Sequence, residues 1–283
     1  MLPRSEMGSA GLVPFVTHEV SVGERTVVKR FGVPAGDGPA REWAALRLLA
    51  RYAPGLAPEP VRADLAGSPP EIVMSRLAGE PLGTGPVTGA QLDAIVAAVA
   101  WLHEAVPAAV LDSVGPAGSG TLRNVGRRMR ALAAACPPES LDPLPRQAYN
   151  AALDWVDRGW GDRPDPAVVR PVFAHSDGNL ANRLWDGSQV RLVDFEVCGR
   201  DGRAQELADF VEHITVWAHG GIDAGEFLDR FDLTPAEHRQ IRDLRRLHAA
   251  HWVMILLPGG NSCDRNPPGT LERQARRLLD LLA

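Results

Sequence analysis

This 283-residue chain is short of cysteine, of long apolar runs and of positive charge, and each shortage removes a class of function. Cys136, Cys198 and Cys263 lie far apart. They form neither a C-x-x-C metal pair nor an even disulfide framework, so a reducing cytoplasm is the natural setting. The first fifteen residues include Arg4 and Glu6 and hold no long apolar core, so no secretory signal is expected. The longest apolar run, Trp252 to Leu257, is far too short to cross a bilayer, and no membrane partner is expected. A formal net charge of −5 argues against general nucleic-acid binding, which needs a basic surface. It is compatible with a cationic small-molecule partner without requiring one. Clustered histidine ligands and a G-x-S-x-G elbow are both missing, which leaves metal or serine hydrolysis without its usual equipment. No internal repeat, heptad or low-complexity tract is present.

What remains is a globular composition with 45% apolar and 23% charged residues. A chain of this length makes one large domain or two modest lobes, either with a real core. The most informative stretch runs His175-Ser176-Asp177-Gly178-Asn179-Leu180-Ala181-Asn182, followed by Leu192-Val193-Asp194-Phe195-Glu196. Asp177 can accept a proton from a substrate hydroxyl. Asn182 and Asp194 stand at the intervals at which an amide and a carboxylate hold metal against nucleotide phosphates. Oxygen ligands suit a hard cation such as Mg2+, which takes only one or two carboxylates from a protein.

The flanks supply geometry. Pro171 to Ala174 is a short apolar run that ends as a strand just before Asp177, and Gly178-Asn179 permits a tight loop. Asn182 to Trp185 and Val190 to Val193 straddle the turn Asp186-Gly187-Ser188 and predict a hairpin, which returns Asn182 and Asp194 to one end.

The N-terminal part predicts strands over Phe15–Val22 and Arg25–Phe31, joined at Gly23-Glu24. Lys29 follows a β-branched pair, as does the strand lysine that contacts ATP phosphates in kinases. A helix over Pro39–Tyr52 places Glu42 where it can pair with Lys29. Gly8-Ser9-Ala10-Gly11 is the one candidate for a phosphate-covering loop, and it is otherwise a frayed tail. Glu71 to Leu77 reads as a strand leading into the breaker-rich Ala78-Gly79-Glu80-Pro81-Leu82, the expected domain junction. Thr88 caps a helix through Glu104 with a stripe of Leu92, Ile95, Val96, Val99 and Leu102. His103 on it is a packed or surface histidine rather than a ligand.

Together, His175 to Asn182 and Asp194-Phe195-Glu196 resemble the catalytic core of the aminoglycoside phosphotransferase family, which also includes choline and homoserine kinases. The resemblance is most specific over 171–214 and weaker over 26–105. It implies an α+β, bilobal, protein-kinase-like fold, with a small β-rich lobe over 1–77 and a larger, mainly helical lobe over 78–283. It implies Asp177 as catalytic base, His175 as brace of the loop, and Asn182 and Asp194 as Mg2+ ligands. ATP, with GTP not separable from it, would meet Lys29 and Glu42 at its phosphates and the backbone around Met74, Ser75 and Leu77 at its base. Glu206 stands where the family often has Asp to tie down the loop.

Gln205 to His219 predicts an amphipathic helix with Leu207, Phe210, Val211 and Ile214 on its core face. By the resemblance, Glu206, Asp209, Glu212 and Trp217 line an acceptor pocket; otherwise they belong to a solvated face. Trp217, Trp252 and His251 form either an aromatic wall or core packing. Arg239, Arg242, Arg245 and Arg246, on a helix over Pro235–Leu256, meet an anion or form a charged exterior. A last helix covers Thr270–Leu282. The implied activity is phosphoryl transfer from Mg-ATP to a hydroxyl of a small molecule, an aminoglycoside or other antibiotic. The alternatives are a choline-like amino-alcohol kinase and a non-catalytic nucleotide-binding protein of the same fold.

Overall fold

A four-stranded antiparallel sheet forms the first part of the chain in the computed structural model, which describes residues 18–32, 36–118, 122–160, 170–258 and 266–283, with backbone alone for 122–124 and 159–160. The expectations for Gly8–Gly11, for Phe15 to Thr17 and for Cys263 lie outside these residues. The strands β1 (His18–Val22), β2 (Thr26–Phe31), β3 (Pro60–Asp64) and β4 (Glu71–Ser75) lie in the order β1-β2-β4-β3. The turn between β1 and β2 closes on a Gly23 N to Thr26 O bond of 2.8 Å. Helix α1 (Gly38–Tyr52) starts with Pro39 in its first turn, where a missing N–H costs nothing. It packs on β3 and β4 and buries Glu42, Ala45, Leu46 and Leu49 at helical spacing.

Beyond the sheet the chain is mainly helical. Strand β5 (Glu80–Pro81) precedes α2 (Gly89–Ala105), which Thr88 and Gln91 cap reciprocally. Then come α3 (Ala108–Leu111), α4 (Leu122–Ala134) and α5 (Pro143–Trp155). Two short ladders follow. One joins β6 (Pro171–Ala174) to β9 (Gly199–Gly202); the other joins β7 (Arg183–Trp185) to β8 (Val190–Leu192), with β5 on its edge. The last elements are α6 (Arg203–Glu212), a π-helical turn (Thr215–His219), α7 (Ala224–Leu228), α8 (Pro235–Ile255) and α9 (Thr270–Leu282). Helix α8 is the axis of this body, packing against α4, α5, α6 and α9.

The helix expected over Gln205–His219 is two pieces. Its break falls at His213, whose Nδ1 is taken by the Thr215 hydroxyl at 2.8 Å, a local side-chain bond that competes with helix continuation. The strand expected to reach Leu77 stops at Ser75. His103 is packed, at 8% exposure. Cys136 and Cys198 are free and buried. Among the described residues no helix is long and apolar enough to cross a membrane.

Candidate active site

The loop after β6 is held from behind by two charged side chains. Glu206, in the first turn of α6, accepts from the amides of His175 at 3.2 Å and Ser176 at 2.8 Å. Arg183, 1% exposed and set over the Phe210 ring, donates to the backbone carbonyls of Asp177 at 2.5 Å and Asn179 at 2.8 Å. Loop and helix approach so closely that a Cβ on Gly178 would sit 2.6 Å from the Cβ of His213. Glycine is required there.

These contacts fix the loop that carries Asp177. One carboxylate oxygen accepts from the Asn179 amide and the other from Asn182 Nδ2, each at 2.8 Å. Burial alone would raise this carboxyl's pKa. The imidazoles of His213 and His175, the Asn179 amide and the Arg183 guanidinium outweigh it and hold the pKa below its ordinary value. Asp177 is therefore a carboxylate at neutral pH, as a proton acceptor must be.

The second loop is fastened to the first. His175 Nε2 donates to Val193 O at 2.8 Å, and the Val193 amide donates to Asn182 O at 3.1 Å. Burial, helped by Arg183, lowers the His175 pKa to about 4, so the ring is neutral and holds its single proton on this bond. Asp194 follows with a left-handed φ of 68°. Its Oδ1 meets Lys29 Nζ at 2.6 Å, while Lys29 also donates to Glu42 at 2.7 Å and Glu196 at 3.2 Å. The ammonium therefore ties β2, α1 and the second loop together. Burial would depress its pKa, but the three carboxylates hold it above the ordinary lysine range.

The described residues thus bring Asp177, Asn182, Asp194, Lys29 and Glu42 into one connected set with His175. Oxygens of Glu42, Asp194 and Glu196 lie within 4.8 Å of one another. Asn182 commits Nδ2 to Asp177 and leaves Oδ1 for another partner. These are the hard oxygen donors that Mg2+ takes.

Met74 is buried at the end of β4, and the Ser75 hydroxyl accepts from the Glu59 amide at 2.8 Å. Leu77 is half-buried just beyond.

The residues expected to line an acceptor pocket divide differently. Glu206 and Glu212 are 4% and 0% exposed, so neither belongs to a solvated face or an open pocket. Glu206 is engaged with the loop amides. Glu212 receives Arg245 at 2.6 Å and Arg277 at 2.6 and 3.1 Å, pinning α8 and α9 to α6. Asp209 faces His248 Nδ1 at 3.4 Å and takes the Gly178 amide; burial, with Asp177 and Glu206 nearby, pushes its pKa well up. Trp217, in the middle of the π-helical turn, lies under Arg273 and Arg277.

Three residues escaped motif reasoning. Arg183 sits in an exposed-looking hairpin. Arg41 reaches from α1 to Pro116 O at 2.6 Å and Cys198 O at 2.9 Å, a contact across distant sequence. His18 donates from Nε2 to Glu196 at 2.5 Å while its Nδ1 accepts the Gly32 amide. Strand parity contained a signal for it: His18 pairs with Phe31, two residues from Lys29 and on the same face.

The model of the phosphotransferase enzyme family matches residues 14–247. No curated protein sequence matches. Among solved structures, a choline/ethanolamine kinase family protein from Mesorhizobium loti superimposes with a TM-score of 0.63 at 17% identity, over 98% of this chain and 88% of that one. The aminoglycoside phosphotransferase APH(3'')-Id from Streptomyces rimosus, in complex with ADP and streptomycin, gives 0.57 at 17%, over 81% and 86%. Choline kinase LicA from Streptococcus pneumoniae gives 0.56 at 15%, over 96% and 92%. At these identities the neighbours establish the mixed α+β, kinase-like fold, and the family match carries the chemistry. The chain belongs to the phosphotransferase enzyme family and is a small-molecule kinase.

Proposed function

We propose that the chain transfers the γ-phosphoryl group of ATP to a hydroxyl of a small molecule. The observation that carries this reading is the bonded set Asp177–Asn182, joined through Val193 to Asp194 and through Lys29 to Glu42. The acceptor oxygen forms the new bond to phosphorus as the bond to the β–γ bridging oxygen breaks. The hydroxyl proton passes to Asp177, and ADP leaves with the charge. Lys29 contacts the α- and β-phosphates once ATP draws it from Asp194, with Glu42 keeping it in place. Asn182 and Asp194 would hold Mg2+, which when bound neutralises phosphate charge. His175, Glu206 and Arg183 keep the loop rigid, so catalysis rests on placement and on countering charge.

The nucleotide base is proposed to lie against Met74, with backbone recognition from Ser75 to Leu77, and the lobes divide between 77 and 78. One solved neighbour holds ADP, which supports ATP over GTP as donor. The cytoplasm is the proposed compartment. Streptomycin in one neighbour and the choline kinase name of another make aminoglycosides and amino alcohols the first acceptors to test.

The test is ADP release from Mg-ATP, and from Mg-GTP, with and without aminoglycosides, other hydroxylated antibiotics, choline and homoserine. Acceptor-stimulated release is expected, and Asp177→Asn should lower it by roughly 100- to 10,000-fold, the range for a lost general base. Release that ignores the acceptor and survives Asp177→Asn would overturn the proposal. Tight ATP binding with no acceptor in a broad panel would instead favour a non-catalytic nucleotide-binding protein.

A further inference from the structure

The π-helical turn that starts beside the catalytic loop sets its middle residue, Trp217, against a cavity of the opposite charge from the chain. The turn is anchored where the Leu180 amide donates to the Thr215 hydroxyl at 2.9 Å and Gly178 packs on His213. Two residues on, Trp217 forms one wall of a cavity of about 400 Å³. Arg245 of α8 and Arg273, Arg276, Arg277 and Asp280 of α9 form the others. Four guanidinium groups face one carboxylate, and the acid behind them, Glu212, is fully buried and already shared by Arg245 and Arg277. Four positive charges against Asp280 and Glu212 leave two positive, within a chain whose net charge is −5.

The excess sits on specific side chains. Arg273 donates to the Thr270 hydroxyl at 3.2 Å, and among the described residues neither Arg273 nor Arg276 has a carboxylate partner. The guanidinium carbons of Arg273 and Arg277 stand 5.7 and 5.5 Å from the Trp217 ring centroid, which restrains both forks beside the cavity. A second observation is independent of charge. Trp217 Nε1 and both ring nitrogens of His219 are buried without a hydrogen-bond partner, and His219 is close enough to Arg273 to feel its charge. Buried polar atoms are nearly always paired, and Trp217 lines the cavity itself, so its unpartnered indole N–H marks a missing group there. Indole N–H only donates, and guanidinium groups only donate. The partner missing at Trp217 is therefore an acceptor, and planar forks match the oxygens of a carboxylate or phosphate.

We infer that this cavity is an anion subsite that takes the carboxylate or phosphate of the small molecule to be phosphorylated. It sits one turn from the residue that packs against the catalytic loop. The assignment as part of the acceptor site rests on the phosphotransferase reading; the binding of an oxyanion does not. Glu206 and Glu212 are committed internally, so neither answers the guanidinium excess or a cationic group of the acceptor.

The first arm is thermal melting and calorimetric titration of the full chain with inorganic phosphate, sulfate and citrate, against chloride at matched ionic strength. Oxyanion-specific stabilisation is expected. The exchange of Arg273→Gln together with Arg276→Gln should weaken binding roughly tenfold or more, the loss expected for charge-assisted bonds. Arg239→Gln together with Arg242→Gln, an equal charge change at exposed positions of α8, should leave it unchanged. Absence of oxyanion-specific binding, or equal binding by the double variant, overturns the subsite. The second arm compares acceptors matched except for an anion, serine against ethanolamine and glycerate against glycerol. A higher kcat/KM for the carboxylated member, lost in the double variant, supports the acceptor role, and equal kcat/KM overturns it. Oxyanion binding with no acceptor phosphorylated would sink the phosphotransferase reading and leave the subsite standing.

Discussion

Exchanging Lys29 for Met removes the ammonium that three carboxylates share and keeps a chain of similar length. Lys29 is 6% and Glu42 1% exposed, so Glu42 is left buried beside Asp194 and Glu196 with no cation on its oxygen. Stranding one member of a buried pair costs about 3–5 kcal/mol, far more than an exposed pair is worth. In a chain of this size each kcal/mol lowers the melting temperature by about 2–4 °C, so a fall of roughly 6–20 °C is expected. Adding Glu42→Gln removes the stranded charge and should restore most of that fall. It should not restore acceptor-stimulated ADP release, because the phosphates still lack their cation.

The pH dependence has a definite sign. Burial already pushes the Glu42 carboxyl above its ordinary value of 4.5, and Lys29 pulls against that. Without Lys29 the folded-state pKa rises further, and the native state keeps a proton that the unfolded chain has released. Stability relative to wild type then falls as pH rises, so the deficit is smaller near pH 5 than near pH 8. Calorimetry of the wild type and of the single and double variants at both pH values measures this. A Lys29→Met protein that melts with the wild type, or a double variant that melts no higher than the single one, would refute the ion-pair account.

Three further outcomes follow from other contacts. Arg41→Ala strands the carbonyls of Pro116 and Cys198 and frees the start of α1, next to Glu42. The KM for ATP should rise several-fold, about 3- to 10-fold for roughly 1 kcal/mol, with kcat less affected; steady-state kinetics with an unchanged KM would refute the clamp. Ser176 holds a left-handed φ of 61° with a buried, unpartnered hydroxyl, so Ser176→Gly should raise stability by about 1 kcal/mol and Ser176→Val lower it, as chemical denaturation would register. Burial depresses His175, His213 and His251 to about 4 and His103 and His248 to about 3, from 6.5, and lowers His219 as well. It raises three carboxyls, Glu42, Glu206 and Asp209. A depressed histidine gives stability above its unfolded value that is lost as pH falls, and a raised carboxyl works the other way. Six groups against three leave a net loss on acidification, so the melting temperature should drop between about pH 6.5 and 5; a flat profile there would refute the burial of the imidazoles.

What could be read beforehand and what could not divide along sequence separation. Asp177 and Asn182 are five residues apart and touch directly, and the hairpin that returns Asp194 to them is announced by its own turn residues. The Thr88 cap and the stripe on α2 are local in the same way. Charged residues whose partners return from far along the chain gave no such signal. Glu212 looks like part of a wet helix face because Arg245 and Arg277, which bury it, lie 33 and 65 residues away. Glu206 is 30 and 31 residues from the amides it holds, and Arg41 is 157 from the Cys198 carbonyl it takes. A helical period marks which face is apolar but not which charges will be drawn inward, since that depends on which opposite charge the topology delivers. The same separation left Arg245 open between an anion contact and a charged exterior, although its partner is fully buried. An arginine cluster on a terminal helix is thus ambiguous until its acids are located. Here Glu212 satisfies two guanidinium groups, and among the described residues Arg273 and Arg276 have no carboxylate partner.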